Sequence, residues 1–236
     1  MLNNLEIESR NSLEKASKFL KAGKLVAVKT ETVYGVACDP LNVKALERLY
    51  NLKRRPKYNP LIIHVNSIKL AEKIAYITTD AEVLMKKFWP GPLTLILPLK
   101  KNQLVHDFAI SGLSSIAVRQ PSSTLMCDLI KKLNAPIAAP SANESGYISA
   151  TDATHVIDSF GDKIDFVINS GRTKYGLEST IIDMTVKPYV IRRLGVIDHT
   201  TIKKKTGIEI KLLSKKVNNS STPNSPGQLI KHYSPR

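Results

Sequence analysis

Apolar positions along the chain switch between helical and strand periods, and the switch points map the expected elements. Leu13, Ala16, Ser17 and Leu20 recur at helical spacing. Asn11 and Glu14, three residues apart, suit a capping box, and Gly23 closes the helix. Residues 25 to 28 predict a short buried strand, followed by a loop carrying Thr30, Glu31, Thr32, Tyr34 and Gly35. A second helix is expected from Asn42 on Val43, Leu46, Leu49 and Tyr50, and a strand over 61 to 65. A third helix follows Asp80, burying Ala81, Leu84, Met85 and Phe88, until Trp89-Pro90-Gly91-Pro92 breaks it. Strands are expected over 93 to 97 and 115 to 118. The helix after Ser122 turns Leu125, Leu129, Ile130 and Leu133 inward. Short strands follow around Ile137 and over 166 to 168, 179 to 182 and 189 to 191. Strand-like runs outnumber what strict βαβ alternation would give. The pattern predicts an α/β domain with a twisted mixed sheet, packed helices and functional loops at strand ends.

Composition narrows the class. At 236 residues, with 42% hydrophobic and 23% charged residues, the chain can build an ordinary core without staples. Two distant cysteines, Cys38 and Cys127, argue against a disulfide framework or structural zinc and for a reducing compartment. No run reaches the ~20 apolar residues of a membrane span, and the first residues lack a signal pattern. A cytoplasmic protein with no membrane partner is expected. The net charge of +15 implies an anionic partner but does not choose between nucleic acid and nucleotide. Residues 215 to 228, rich in Ser, Asn and Pro, read as a linker or tail.

Four polar constellations sit at strand ends. Lys29 to Gly35 (KTETVYG) can form a small polar pocket or a simple capped turn. Lys53, Arg54 and Arg55 close a helix, where they complement its dipole or clamp a polyphosphate. They precede Asn59-Pro60 and the strand bearing His64, which alone reads as a core histidine. Residues 138 to 146 (AAPSANESG) let a backbone approach a ligand closely while Ser and Asn supply hydrogen bonds, or form a plain loop. Residues 176 to 180 (GLEST) and 191 to 195 (IRRLG) place a hydroxyl at Ser179 and a guanidinium at Arg193. No P-loop, nucleophile elbow, kinase set or H-E-x-x-H occurs.

In order, these segments read K-T-E-T-V-Y-G, K-x-R-P-x-x-N-P-L, P-G-P-L-T, A-V-R-x-P, P-S-A-N-x-S-G, G-x-x-S-T-I and R-x-G. The collinear series, from about residue 12 to 196, strongly resembles the YrdC-like family of L-threonylcarbamoyladenylate synthases. The closing S-P-G-x-x-x-x-H-Y-S-P resembles the linker of the family's longer branch, whose second small α/β domain is not represented in this sequence. The resemblance implies a YrdC-like fold with a basic concave face. It also implies a catalytic domain over 9–198, with a basic segment and linker-like tail over 199–236. The implied reaction condenses L-threonine, bicarbonate (or CO2) and ATP to L-threonylcarbamoyladenylate and pyrophosphate. A downstream threonylcarbamoyl transferase then carries the group to tRNA, so tRNA is an indirect partner.

By the same resemblance, Thr32, His64, Arg119, Ala139 and Ser179 hold threonine. Lys53, Arg55, Ser141 and Asn143 form the catalytic tetrad facing the phosphates. Arg55, Asn59, Ser115, Ser141, Ser149, Arg193 and Tyr233 contact ATP. Mg²⁺ is expected on the phosphates, with no protein ligand assigned. The alternative reading is a non-catalytic module binding structured RNA, which would have no use for the Thr32, His64, Arg119 and Ser179 set.

Overall fold

Apolar runs too short to close a helix pair instead into two sheets, on which the amphipathic segments pack. The computed structural model describes residues 4–101 and 104–212. In chain order the elements are β1 (Leu5–Ile7), α1 (Arg10–Lys21), β2 (Val26–Lys29), β3 (Tyr34–Ala37), α2 (Val43–Leu52) and β4 (Ile62–His64). Next come α3 (Ile68–Ala71), α4 (Thr79–Phe88), β5 (Leu93–Pro98), β6 (Ser115–Arg119), α5 (Thr124–Leu133) and β7 (Ile137–Ala138). The series ends with α6 (Ala153–Phe160), β8 (Phe166–Asn169), β9 (Thr180–Asp183), β10 (Tyr189–Arg193), α7 (His199–Thr206) and β11 (Ile210–Leu212). The expected mixed α/β architecture is present, but its strands divide between a four-stranded sheet, β1-β8-β2-β3, and a seven-stranded one, β11-β10-β9-β5-β6-β4-β7.

Two main cores follow from this division. Helices α1 and α5 cover the small sheet, where Leu20, Val26, Val28, Leu129 and Phe166 are buried together. Removing each such side chain from water contributes about 1.5–3 kcal/mol. The larger cluster joins α2, α4, α6 and α7 to both sheets. The sheets meet where β3 approaches the segment after β7: Gly35 bridges Ser141, and Cys38 bridges Ala138. Glycine suits that seam: a β-carbon on Gly35 would lie 3.2 Å from the Pro140 carbonyl oxygen, which would have to give by a few tenths of an ångström.

Several expected boundaries change. The α1 cap is Ser9, not Asn11: the Ser9 and Ser12 hydroxyls each accept from the other's backbone N–H, while Glu14 pairs with Lys132. Tyr34 and Gly35 belong to a strand, not a loop, because β3 folds back antiparallel on β2. Val43 is exposed, so α2 buries Ala45 with Leu46, Leu49 and Tyr50. Helices α3, α6 and α7 and strands β1 and β11 were not expected. Elements outside 9–198 also join the sheets: β1 pairs β8, α7 buries Ile202, and β11 pairs β10. Residues 213–236, including the expected linker motif and Tyr233, lie outside the described residues.

Candidate active site

A cleft opens at the seam, lined by polar and charged side chains from both sheets. Its floor is formed by β4 and β6 of the large sheet. Strands β4 and β6 run parallel and in register, so their last residues, His64 and Arg119, stand side by side. Parallel strands present their carboxyl ends as the natural place for a ligand. Thr30, Thr32, Tyr34 and Gly35 of the β2–β3 hairpin form one wall, and Ala139, Pro140 and Ser141 another. Glu178, Ser179 and Arg193, from the approach to β9 and the end of β10, close the third.

Arg119 is buried, and burial lowers its pKa against the opposing pull of Glu31. Its Nη2 donates to Glu31 Oε1 at 2.6 Å, Nη1 to Thr32 Oγ1 at 3.0 Å, and Nε to the Gly91 carbonyl at 3.2 Å. The Pro-Gly-Pro turn before β5 is thus a bracket for this guanidinium. One hydrogen on each terminal nitrogen is left for a ligand. The neighbouring hydroxyls are polarised. Thr30 gives its hydrogen to the Val33 carbonyl, so the 2.8 Å contact between Thr30 Oγ1 and Thr32 Oγ1 takes its proton from Thr32. Thr32, accepting from Arg119 and donating to Thr30, offers the cleft only a lone pair. His64 stands beside it in the lining. Its Nδ1 is buried without a partner. Burial, then the Arg119 charge, lowers its pKa to about 3, so the ring is neutral.

The other side of the cleft is basic. Arg55 lies against Asn59, donating Nη2 to Asn59 Oδ1 at 2.8 Å and to the Pro60 carbonyl at 2.7 Å. Arg193 is turned inward by a bulge in β10 that sends its neighbour Arg192 to Asp183 instead. It pairs with Glu178 and donates Nη2 to Ser179 Oγ at 2.9 Å. Glu178 also accepts from Ser149 Oγ at 2.8 Å. Gly195 permits this packing: a β-carbon there would lie 2.5 Å from the Ser179 carbonyl carbon and Thr180 nitrogen.

All five residues expected to hold threonine line the cleft, with Arg55, Ser141 and Arg193 of the nucleotide set. Asn59 and Ser149 touch it through Arg55 and Glu178. Lys53 and Asn143 stand behind its wall. Fully buried Lys53 donates to the Ser141 and Asn143 carbonyls and so clamps the 139–146 loop. Burial, then Arg55, lowers its pKa to about 7. Asn143 donates to the Glu144 and Tyr147 carbonyls. The cleft does not include Ser115, which begins β6 while Arg119 ends it, about 13 Å away at strand rise. Glu31, Glu178 and Thr94, which organise the site, were quoted within motifs but given no role. Acidic residues are not an obvious signal for an anion site, and their partners are remote in sequence.

The donors present do not make a protein-held Mg²⁺ site. Among the described residues no group of three His, Cys, Asp or Glu converges; Glu178 in the cleft engages Arg193, and Glu31 behind it engages Arg119.

A family model for Sua5, YciO and YrdC proteins, described as telomere recombination, matches residues 18–195. The chain belongs to the Sua5/YciO/YrdC family. The family member from Pyrococcus abyssi named threonylcarbamoyl-AMP synthase is 44% identical over 93% of this chain, and its Bacillus subtilis namesake 37% over 94%. This Sua5/YciO/YrdC chain spans 64% of the length of each of these relatives. The crystal structure of P. abyssi Sua5 complexed with L-threonine superposes with a TM-score of 0.90 at 41% identity, covering 98% of this chain and 68% of that one. Among the described residues no helix is long and apolar enough to cross a membrane.

Proposed function

We propose that this chain condenses L-threonine, bicarbonate (or CO2) and ATP to L-threonylcarbamoyladenylate and pyrophosphate, as a cytoplasmic enzyme. The observation that carries this reading is the polarity of the cleft. Arg119 presents free donors and Thr32 an acceptor, with the neutral ring of His64 alongside, beside a second cluster of cations. An amino acid complements the first half, its carboxylate on Arg119 and its ammonium or hydroxyl hydrogens on Thr32 and His64. A polyphosphate complements Arg55 and Arg193.

Neutral His64 accepts a hydrogen bond from the amine without competing for its position as a cation. The deprotonated amine adds to CO2 with release of a proton to solvent, or to bicarbonate with loss of water, and the resulting carbamate oxygen displaces pyrophosphate from the α-phosphorus. Arg55 and Arg193 stabilise charge on the phosphates, and Lys53 holds the Ser141 loop at the right distance. Magnesium, where bound, is carried on the nucleotide phosphates and neutralises their charge. The product is a labile mixed anhydride, so a group-transfer enzyme acting on tRNA is the natural consumer.

The test is pyrophosphate release with each substrate omitted in turn. Release should need both L-threonine and bicarbonate, and serine should be poorer, because one lost methyl contact costs about 1–3 kcal/mol. Equal turnover without threonine would overturn the reading, and RNA binding without turnover would favour a binding module.

A further inference from the structure

We propose that Thr94 is a positioning residue that fixes the Ser179 hydroxyl as a hydrogen-bond donor toward the amino-acid half of the cleft. The inference rests on the threonine reading above. Thr94 is the second residue of β5, fully buried, and pairs in parallel register with Ile181 of β9. The Thr180 N–H donates to the Pro92 carbonyl at 3.0 Å, which draws the start of β9 against the start of β5. Thr94 Oγ1 then lies 2.8 Å from Ser179 Oγ, and this is its only polar contact among the described residues.

A serine hydroxyl has one hydrogen and two lone pairs. Arg193 Nη2 fills one lone pair of Ser179 at 2.9 Å. If Ser179 gave its hydrogen to Thr94, the Thr94 hydrogen would have no acceptor in a fully buried place, and stranding a buried donor is the costly arrangement. The lower-energy assignment has Thr94 donating to the second lone pair of Ser179. Both lone pairs are then filled, and the only group Ser179 can offer the cleft is its O–H. Thr32, across the cleft, is polarised the opposite way by Thr30. The two hydroxyls therefore demand different things of a ligand: an acceptor at Ser179 and a donor at Thr32. Thr94, which does not itself line the cleft, sets half of that code from the sheet behind it.

Thr94→Val keeps the shape and deletes the donor. It should raise the L-threonine Kd about tenfold by calorimetry, equivalent to one net hydrogen bond. Nucleotide Kd and melting temperature should stay close to wild type, and Thr94→Ser should restore threonine binding. Because Thr94 acts through Ser179, Thr94→Val should have no further effect on threonine Kd in a Ser179→Ala background. An unchanged Kd in Thr94→Val, additive effects in the double variant, or failure of Thr94→Ser to rescue would each overturn the inference. A wild-type protein that binds nucleotide but not threonine would instead overturn the functional reading beneath it.

Discussion

Glu31→Gln should move stability and threonine affinity in opposite directions. The Glu31 and Arg119 side chains are 6% and 5% exposed and meet at 2.6 Å, so neither charge is solvated. Removing one partner of a buried pair costs on the order of 3–5 kcal/mol. Glutamine keeps an oxygen for Arg119 Nη2, which favours the lower end, about 3 kcal/mol. In a chain of this size that is a fall of about 6–12 °C in melting temperature. Binding responds differently. The Glu31 carboxylate repels an incoming carboxylate on the far side of the guanidinium. At ~7 Å and an effective dielectric constant of ~20, that repulsion is about 2 kcal/mol. Without it, the threonine Kd should fall by about thirtyfold. Scanning calorimetry and titration calorimetry read the two effects on the same sample. If threonine binding weakens along with the melting temperature, or if neither moves, Glu31 is not balancing the Arg119 charge and the electrostatic account of the cleft is wrong.

Gly195→Ala should cost about 3 kcal/mol, because the added carbon meets backbone rather than a movable side chain. It should also weaken nucleotide binding by displacing Arg193; an unchanged denaturation midpoint would refute this. His64 gives a pH signature. Its folded pKa of about 3 lies below the usual ~6.5, so the unfolded chain binds the extra proton between these values. The stability it contributes is complete above about pH 6.5 and is lost as pH falls toward 3. Between pH 7 and 4.5, His64→Leu should lose roughly 2 kcal/mol less than wild type in urea unfolding. Equal losses in both proteins would count against a neutral, buried ring.

Much of the fold is legible locally. Helices α2, α4 and α5 follow from apolar spacing, since that signal resides in a few neighbouring residues, and Asn42 caps α2; the caps of α4 and α5 are Thr78 and Ser123, one or two positions away from the expected Asp80 and Ser122. Strands β4, β5, β6, β8 and β9 follow from short apolar runs. Helix α6 escaped because ATHVIDSF is rich in residues without strong helix preference, and packing of Ala153, Val156 and Phe160 decides its state. Edge strands β1 and β11 are three residues each and owe their conformation to the partner beside them. The identities of the cleft-lining residues were readable from an ordered series of motifs. Their chemical polarity was not. Whether Thr32 and Ser179 donate or accept depends on Thr30, Thr94 and Arg193, and the latter two reach Ser179 only through sheet pairing. Likewise, nothing along the chain says that Glu31 neutralises Arg119, or that Lys53 serves the Ser141 loop from behind. A hydrogen bond is a pairwise fact about atoms in space, so residue types could be listed from the sequence while their protons were assigned only by the fold.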